Sequence, residues 1–392
     1  MIVKSARRGS AARRSRALLG IGAIMAGAAA CSSGSATASS SPMPAQQAAA
    51  TPYLRQFHIV SQVAATVPAN KDVNPYGVAV VPQTTGSLVR GNVLVSNFND
   101  KANVQGTGTT IVQISPDGTR RQFAQLGSLP SGAKCPGGVG LTTALEVLPG
   151  GWVVVGSLPT SGGKLPAVNP VGCLVVLNSH GKPAETWHSP DINGPWDMAL
   201  HAQQGHAALF VSSVLSRPAS AGGAPPATGL CAVVRADITL TPGAKPRLTR
   251  LTTVGRDFPW RQDKAALIQG PTGLALSSGG TLYAASTVGN SISVIPNALT
   301  RTSPVTAASS VLTKGGGLNG PLGLTMAPNG HLIAVNGNNG NAVEVTPSGH
   351  QAAVVTLVPG GAGDLFGVTP YSTGRGLLFV NDGTNALDLF SS

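Results

Sequence analysis

A chain of 392 residues with 51 glycines, 30 prolines and only 10% charged residues suits many short strands joined by tight turns and argues against long helices. Its length does not force two domains, because closed all-β folds often exceed two hundred residues as one unit. The formal charge of +12 overstates the basicity: six basic residues lie between Lys4 and Arg16, and the rest of the chain carries 20 Lys and Arg against 14 Asp and Glu, net +6. Seven of these bases lie between Arg235 and Lys264 with Asp237, Asp257 and Asp263 interleaved and no aromatic stacking pattern. That run reads as a solvated outer strand and loop, and no nucleic-acid partner is expected.

The basic start is followed by an apolar run at 17–27 and by Ala28-Ala29-Ala30-Cys31, so residues 1–30 read as a signal peptide too short to span a bilayer. Small residues directly before a cysteine resemble the lipobox of bacterial lipoproteins. The resemblance implies that Cys31 is lipidated and becomes the new N-terminus, although Ala28 stands where Leu is preferred. Ordinary cleavage, with Cys31 incidental, is the other reading. Arg13-Arg14 resembles a twin-arginine signal with a poor match in the residues after it, which leaves the export route open. Residues 31–52, rich in Ser and Ala, read as a flexible tether. The expected address is the bacterial cell envelope, with the chain exported and held at a membrane through its lipid. Ser32, read by the sorting rule of enteric bacteria, favours the outer membrane.

From residue 53 onward one turn-plus-strand phrase recurs: Asn74-Pro75-Tyr76-Gly77-Val78, Gly194-Pro195-Trp196-Asp197-Met198, Gly270-Pro271-Thr272-Gly273-Leu274 and Gly320-Pro321-Leu322-Gly323-Leu324, with weaker copies at 144–148 and 366–369. Units starting near 77, 144, 197, 273, 323 and 367 number six. Each phrase is followed by a glycine turn and further short strands, which makes a four-stranded meander too small to bury both faces alone. Such repeats predict a six-bladed β-propeller over 53–392, with the first strand of each unit innermost. The last unit runs out of chain after three strands, so the strand-like segment at 55–64 is expected to close the ring and remove an exposed edge.

Residues 281–295, 331–345 and 376–390 resemble the NHL-type repeat, with Ser286 and Asn336 replacing its usual Asp and Asp382 retaining it. The resemblance implies a binding scaffold, expected to be monomeric, for an unknown protein or small-molecule ligand. Similar rings in the gluconolactonase, strictosidine synthase and streptogramin lyase groups are enzymes, so a metal-assisted lactonase or lyase is the alternative. Catalysis would need ligands or an acid/base pair converging on the axis. The candidate carboxylates for a divalent cation there are Glu146, Asp197 and Asp364; otherwise no cofactor is expected. His180, His201, His206, His331 and His350 fall in or beside turns and read as turn-filling residues, and His58 falls on the closing strand. No Gly-x-Ser-x-Gly, Walker or His-Glu-x-x-His motif occurs, and no catalytic residue is assigned.

Cys135 and Cys173 are expected at the same end of the ring, in the connection entering the second blade and at the end of its second-to-third-strand loop, which favours a disulfide between them. Cys173 with Cys231, at matching positions on adjacent blades, is the rival. The second-to-third-strand loops are long at 99–110, 158–172 and 215–229 and tight in the last three blades. Long loops on a rigid scaffold usually carry binding. A ligand is therefore expected on that face, around the inner-strand entrances at Asn74, Asp197, Asn319 and Asp364.

Overall fold

The computed structural model describes residues 51–392 except 141, 159, 161, 165–170, 216–230, 264–265 and 372–373. The expected signal peptide and Cys31 lie outside the described residues, as do Lys264 and most of the third long loop. A 3-10 turn (Tyr53–Gln56) leads into β1 (Ile59–Ala65). Blade one is β2 (Val73–Val80), β3 (Val93–Asn99), β4 (Thr110–Ile114) and β5 (Arg120–Gln125), and blade two is β6 (Thr142–Leu148), β7 (Trp152–Ser157), β8 (Cys173–Leu177) and β9 (Pro183–Trp187). Blade three is β10 (Pro195–Gln203), β11 (His206–Ser213), β12 (Cys231–Thr239) and β13 (Arg247–Phe258), followed by a hairpin of β14 (Arg261–Asp263) and β15 (Leu267–Gln269). Blade four is β16 (Pro271–Leu276), β17 (Leu282–Ser286), β18 (Ser291–Ile295) and, after the short β19 (Val305–Thr306), β20 (Val311–Lys314). Blade five is β21 (Pro321–Met326), β22 (Leu332–Asn336), β23 (Asn341–Val345) and β24 (Gln351–Thr356). Blade six is β25 (Leu365–Pro370), β26 (Leu377–Asn381) and β27 (Ala386–Ser391), completed by β1 in the order β1-β27-β26-β25.

The closing strand pairs antiparallel with β27 from Ile59 opposite Ser391 to Ala65 opposite Ala386. It starts later than the pattern suggested, because Arg55 and Gln56 belong to the 3-10 turn. That turn is pinned by Glu344 of β23, which is fully buried and accepts the N–H groups of Tyr53 at 3.0 Å and Leu54 at 2.9 Å. Asn329 at 2.8 Å and His331 at 2.7 Å complete its hydrogen bonds. Burial pushes the Glu344 carboxyl up, but these four donors outweigh it and hold the group below its usual range. His331 thus has a specific partner and does more than fill a turn.

Apolar side chains alternate onto both faces of every blade, so the core is divided into seams between blades rather than gathered in one mass. Leu145, Val153 and Val175 pack against Leu94 and Ile111 between blades two and one, and Leu324, Val343 and Val345 pack against Tyr283 and Ile292 between blades five and four. The innermost strands follow each other in a closed ring, β2, β6, β10, β16, β21, β25 and back to β2. Backbones approach closely there. A Cβ at Gly273 would press into the Leu324 amide, one at Gly323 into the Phe366 carbonyl and one at Gly367 into the Tyr76 carbonyl, which is why glycine recurs at that position of the repeat.

The polar position of the NHL-like phrase proves to be a fastener, and in blade six it falls on Asn381, one residue before the expected Asp382. Asn97, Ser157, Ser213, Ser286, Asn336 and Asn381 each lie opposite the first or third residue of their inner strand. Several clamp the chain entering the blade: Asn97 donates to the Thr66 carbonyl at 3.1 Å, Ser157 to Gly140 at 2.7 Å and Asn336 to Gly317 at 2.9 Å.

Cys135 and Cys173 form the disulfide, with Cα atoms 5.4 Å apart. Cys231 is free and buried, its thiol donating to the Val214 carbonyl at 3.1 Å, and burial pushes it up to about 12. One part of the basic run departs from its expected solvated character. Arg235 is 4% exposed, paired with Asp237 at 2.9 Å and donating to the carbonyls of Ala298 and Arg301. Blade three needs this brace: its β12 and β13 have 9 and 12 residues against 5 and 6 in β23 and β24, and the chain between β18 and β20 crosses over to pair β19 with β13.

Candidate functional site

Every inner strand carries a register shift near its start, between Pro75 and Val78, Thr142 and Leu145, Pro195 and Asp197, Pro271 and Leu274, Pro321 and Gly323, and Leu365 and Val368. A bulge bends its strand and re-aims the side chains beside it. In blades one and three an N–H at the bulge is taken by a serine of the second strand, Gly77 by Ser96 and Asp197 by Ser212, each at 2.9 Å. Inside the ring lies a channel of about 340 Å³, lined by residues of all six inner strands.

The two ends of the channel differ. Where the inner strands begin, Tyr76, Trp196, Leu322 and Phe366 are all buried. The Tyr76 ring lies 4.5 Å from that of Phe366 and 5.3 Å from that of Trp196, centroid to centroid. Ala266 and Ile268 of the β14–β15 hairpin pack into the same cluster. Leu267 between them has φ 63°, and the Ile268 N–H closes on the Ala266 carbonyl at 2.6 Å. This γ-turn puts a bulky residue in the left-handed region, at a cost of roughly 1–3 kcal/mol. Where the inner strands end, Val80, Leu200, Leu276, Met326 and Thr369 are partly exposed. The channel is therefore blind, and its mouth lies among the first-to-second-strand turns. The expected axial entrance beside the long loops is filled, because bulky residues at one repeat position converge there.

Two carboxylates reach this channel. Glu146 and Asp197 lie deep in the molecule yet show part of their surface to it. Asp197 occupies the repeat position that is glycine in blades four to six, and its Oδ2 accepts the Leu274 N–H at 2.7 Å across the seam to blade four. Among the described residues Glu146 accepts only the Val147 N–H, at 3.3 Å. Burial pushes Glu146 up to about 8, helped by the neighbouring Asp197 charge and opposed by the Val147 N–H. Burial likewise pushes Asp197 up to about 7, against the N–H groups of Leu274 and Met198. Tyr76 is the other titratable residue in the lining, raised by burial and by the Asp197 charge.

The remaining candidates lie elsewhere. Asn74 is buried at φ 58°, donating its N–H to Asn385 at 2.7 Å, and its Oδ1 has no hydrogen-bond partner. Asn319 is exposed and accepts from Asn338 at 3.2 Å. Asp364 sits over Gly383, raised by burial, and its charge adds to the burial that pushes Asp382 up to about 6. Asp197 is thus the one of the four expected binding residues that lines the channel, and Glu146 joins it there while Asp364 does not. His201 and His206 line a separate cleft of about 320 Å³ with Asp237. His180 contacts Ser87 at 3.2 Å, and His58 donates its N–H to Ser391.

The aromatic floor escaped the sequence reading, although a signal was present. Tyr76, Trp196, Leu322 and Phe366 occupy the same register of the repeat, one residue before the glycine or its replacement. No sequence signal marked the hairpin.

The side chains fit a resident divalent cation poorly. Calcium takes six to eight oxygens, whereas the channel offers two carboxylates on adjacent blades and the hydroxyls of Thr325, Thr369 and Tyr76. One carboxylate oxygen is already committed to Leu274. Among the described residues there is no group of three or more His, Cys, Asp and Glu arranged to hold a metal. Among the described residues the lining also contains no histidine, serine or cysteine to pair with the carboxylates as base or nucleophile.

Fold and channel define a six-bladed β-propeller with a blind axial pit. No protein-family description and no curated protein matches the chain. Solved structures do resemble it. One is described as a putative gluconolactonase, 17% identical, with 87% of this chain and 96% of that one covered at a TM-score of 0.51. A gluconolactonase from Xanthomonas campestris is 14% identical over 85% of this chain and 88% of its own, at 0.50. A calcium-binding protein, regucalcin, from Agrobacterium tumefaciens is 13% identical over 84% and 92%, also at 0.50. At these identities the likeness is one of fold.

Proposed function

We propose that this chain is an exported, envelope-anchored binding protein whose propeller receives a small molecule in the blind axial channel. The observation that carries the reading is the asymmetry of the channel: aromatic and sealed at one end, open at the other, with two incompletely satisfied carboxylates on its wall. A pocket of about 340 Å³ is within the range of small-molecule sites, which are mostly apolar with a few placed polar groups. The binding reading is preferred to the lactonase or lyase alternative because, among the described residues, no histidine lines the channel with the carboxylates and its hydroxyls are those of Thr325, Thr369 and Tyr76.

Lipidation of Cys31 would hold the domain at the membrane through the tether, since a cysteine bearing two or three acyl chains meets the requirement for stable anchoring. Replacing Cys31 with Ser should release the protein from the membrane fraction, and unchanged retention would refute the anchor. For the channel, the test is Thr325→Trp, which adds bulk near the mouth. The wild-type protein, incubated with a small-molecule extract and desalted, should retain a compound detectable by mass spectrometry, and Thr325→Trp should not. Equal retention by both would place the ligand elsewhere.

A further inference from the structure

Resting on the channel as the ligand site, the geometry points to a small organic cation, an alkylated or primary ammonium compound, as the class of ligand it takes. The channel is electrostatically one-sided. Glu146 of β6 and Asp197 of β10 stand on adjacent blades, while the wall from blades four to six is contributed by apolar residues such as Leu274, Leu324, Met326 and Val368. Among the described residues no lysine, arginine or histidine lines the channel. Two carboxylates in a confined apolar space without a cationic partner are costly, and the cost falls when a positive charge enters beside them.

The closed end strengthens the assignment. Tyr76, Trp196 and Phe366 form the floor, and aromatic rings favour ammonium groups electrostatically, most of all when water is excluded. A metal ion would need oxygen ligands on several sides, whereas an organic ammonium compound matches carboxylates on one side and hydrocarbon on the other.

The charge state sets a pH dependence. Glu146 and Asp197 are raised to about 8 and about 7, so near neutrality the empty channel keeps at least part of its protons. The other titratable group in the lining, Tyr76, is pushed above its ordinary range and stays neutral. A cation must therefore displace protons to bind, and binding strengthens as pH rises through this window.

The experiment is titration calorimetry of the mature chain with tetramethylammonium, choline and butylammonium chlorides, alongside the neutral isostere 3,3-dimethylbutan-1-ol and calcium chloride. At least one organic cation should bind, with protons released on binding. Its affinity should rise between pH 6 and pH 9, and should fall roughly tenfold or more in the Glu146→Gln/Asp197→Asn double variant. Three results would overturn the inference: isostere and choline binding equally well, calcium displacing the organic cations, or no organic cation binding at millimolar concentration. Equal binding of the isostere, abolished by Thr325→Trp, would reject the cation while keeping the channel as the site. Choline binding unchanged in Thr325→Trp would reject both.

Discussion

Two buried carboxylate settings in this molecule have opposite characters. On the third strand of blade five, Glu344 is fully buried and surrounded by donors, namely the N–H groups of Tyr53 and Leu54 and the side chains of Asn329 and His331. On the axis, Glu146 and Asp197 are nearly as deep, with the Val147 N–H for the Glu146 side chain and the N–H groups of Leu274 and Met198 for Asp197. The first carboxyl is held below its usual range and the others are pushed above it. Burial alone does not decide the charge state of an acid; the supply of hydrogen-bond donors does. The satisfied group ties the start of the domain to the fifth blade, whereas the axial pair is the one that a ligand is proposed to meet.

The largest effect should come from cutting the satisfied group. Glu344→Ala orphans two backbone N–H groups, each costing about 1–3 kcal/mol, so a loss of about 3 kcal/mol or more is expected. A urea midpoint close to wild type would show that the Tyr53–Gln56 turn is held by its aromatic packing instead.

The pH profile of stability tests both settings at once. Glu146 and Asp197 have folded values raised from 4.5 and 3.8 to about 8 and about 7. Their contribution is complete below the unfolded values and is lost as pH rises toward about 8. Asp382, raised to about 6, acts in the same direction. Glu344 is lowered from 4.5, so its contribution is present above that value and disappears as pH falls through its folded pKa. Urea midpoints should fall on both sides of about pH 5, and the alkaline limb should flatten in the Glu146→Gln/Asp197→Asn variant. An alkaline limb that persists unchanged would show that the axial acids are not the groups responsible.

His331→Ala removes one donor from ionised Glu344 and should cost about 1 kcal/mol near neutrality, a loss that fades as pH falls through the folded value of Glu344. The smallest effects belong to the axial acids taken singly at neutral pH. Asp197→Asn keeps an oxygen that can accept from Leu274, and Glu146→Gln replaces a carboxyl that burial already holds largely protonated near neutrality, so each should change stability by less than about 1 kcal/mol. A large loss in Asp197→Asn, measured by thermal melting, would make that residue a seam fastener first and a ligand group second.

The sequence alone determined the repeat, and through it the blade count, the innermost strands, the closing strand and the faces on which loops and turns lie. These follow from short-range periodicity and from the missing fourth strand of the last unit. Even the Cys135–Cys173 pairing followed from placing two loops at one end of a ring. Tertiary structure alone decided which end of the axis is open. The seal is made by Tyr76, Trp196, Leu322 and Phe366 from four blades and by Ala266 and Ile268 from an inserted hairpin, and no local pattern says that such side chains will meet. The same limit applies to Glu344, which is one more polar residue on a strand until the first turn of the domain folds back onto it. Periodicity reports what each segment does to its neighbours in sequence, whereas the character of a buried charge depends on donors that arrive from distant parts of the chain.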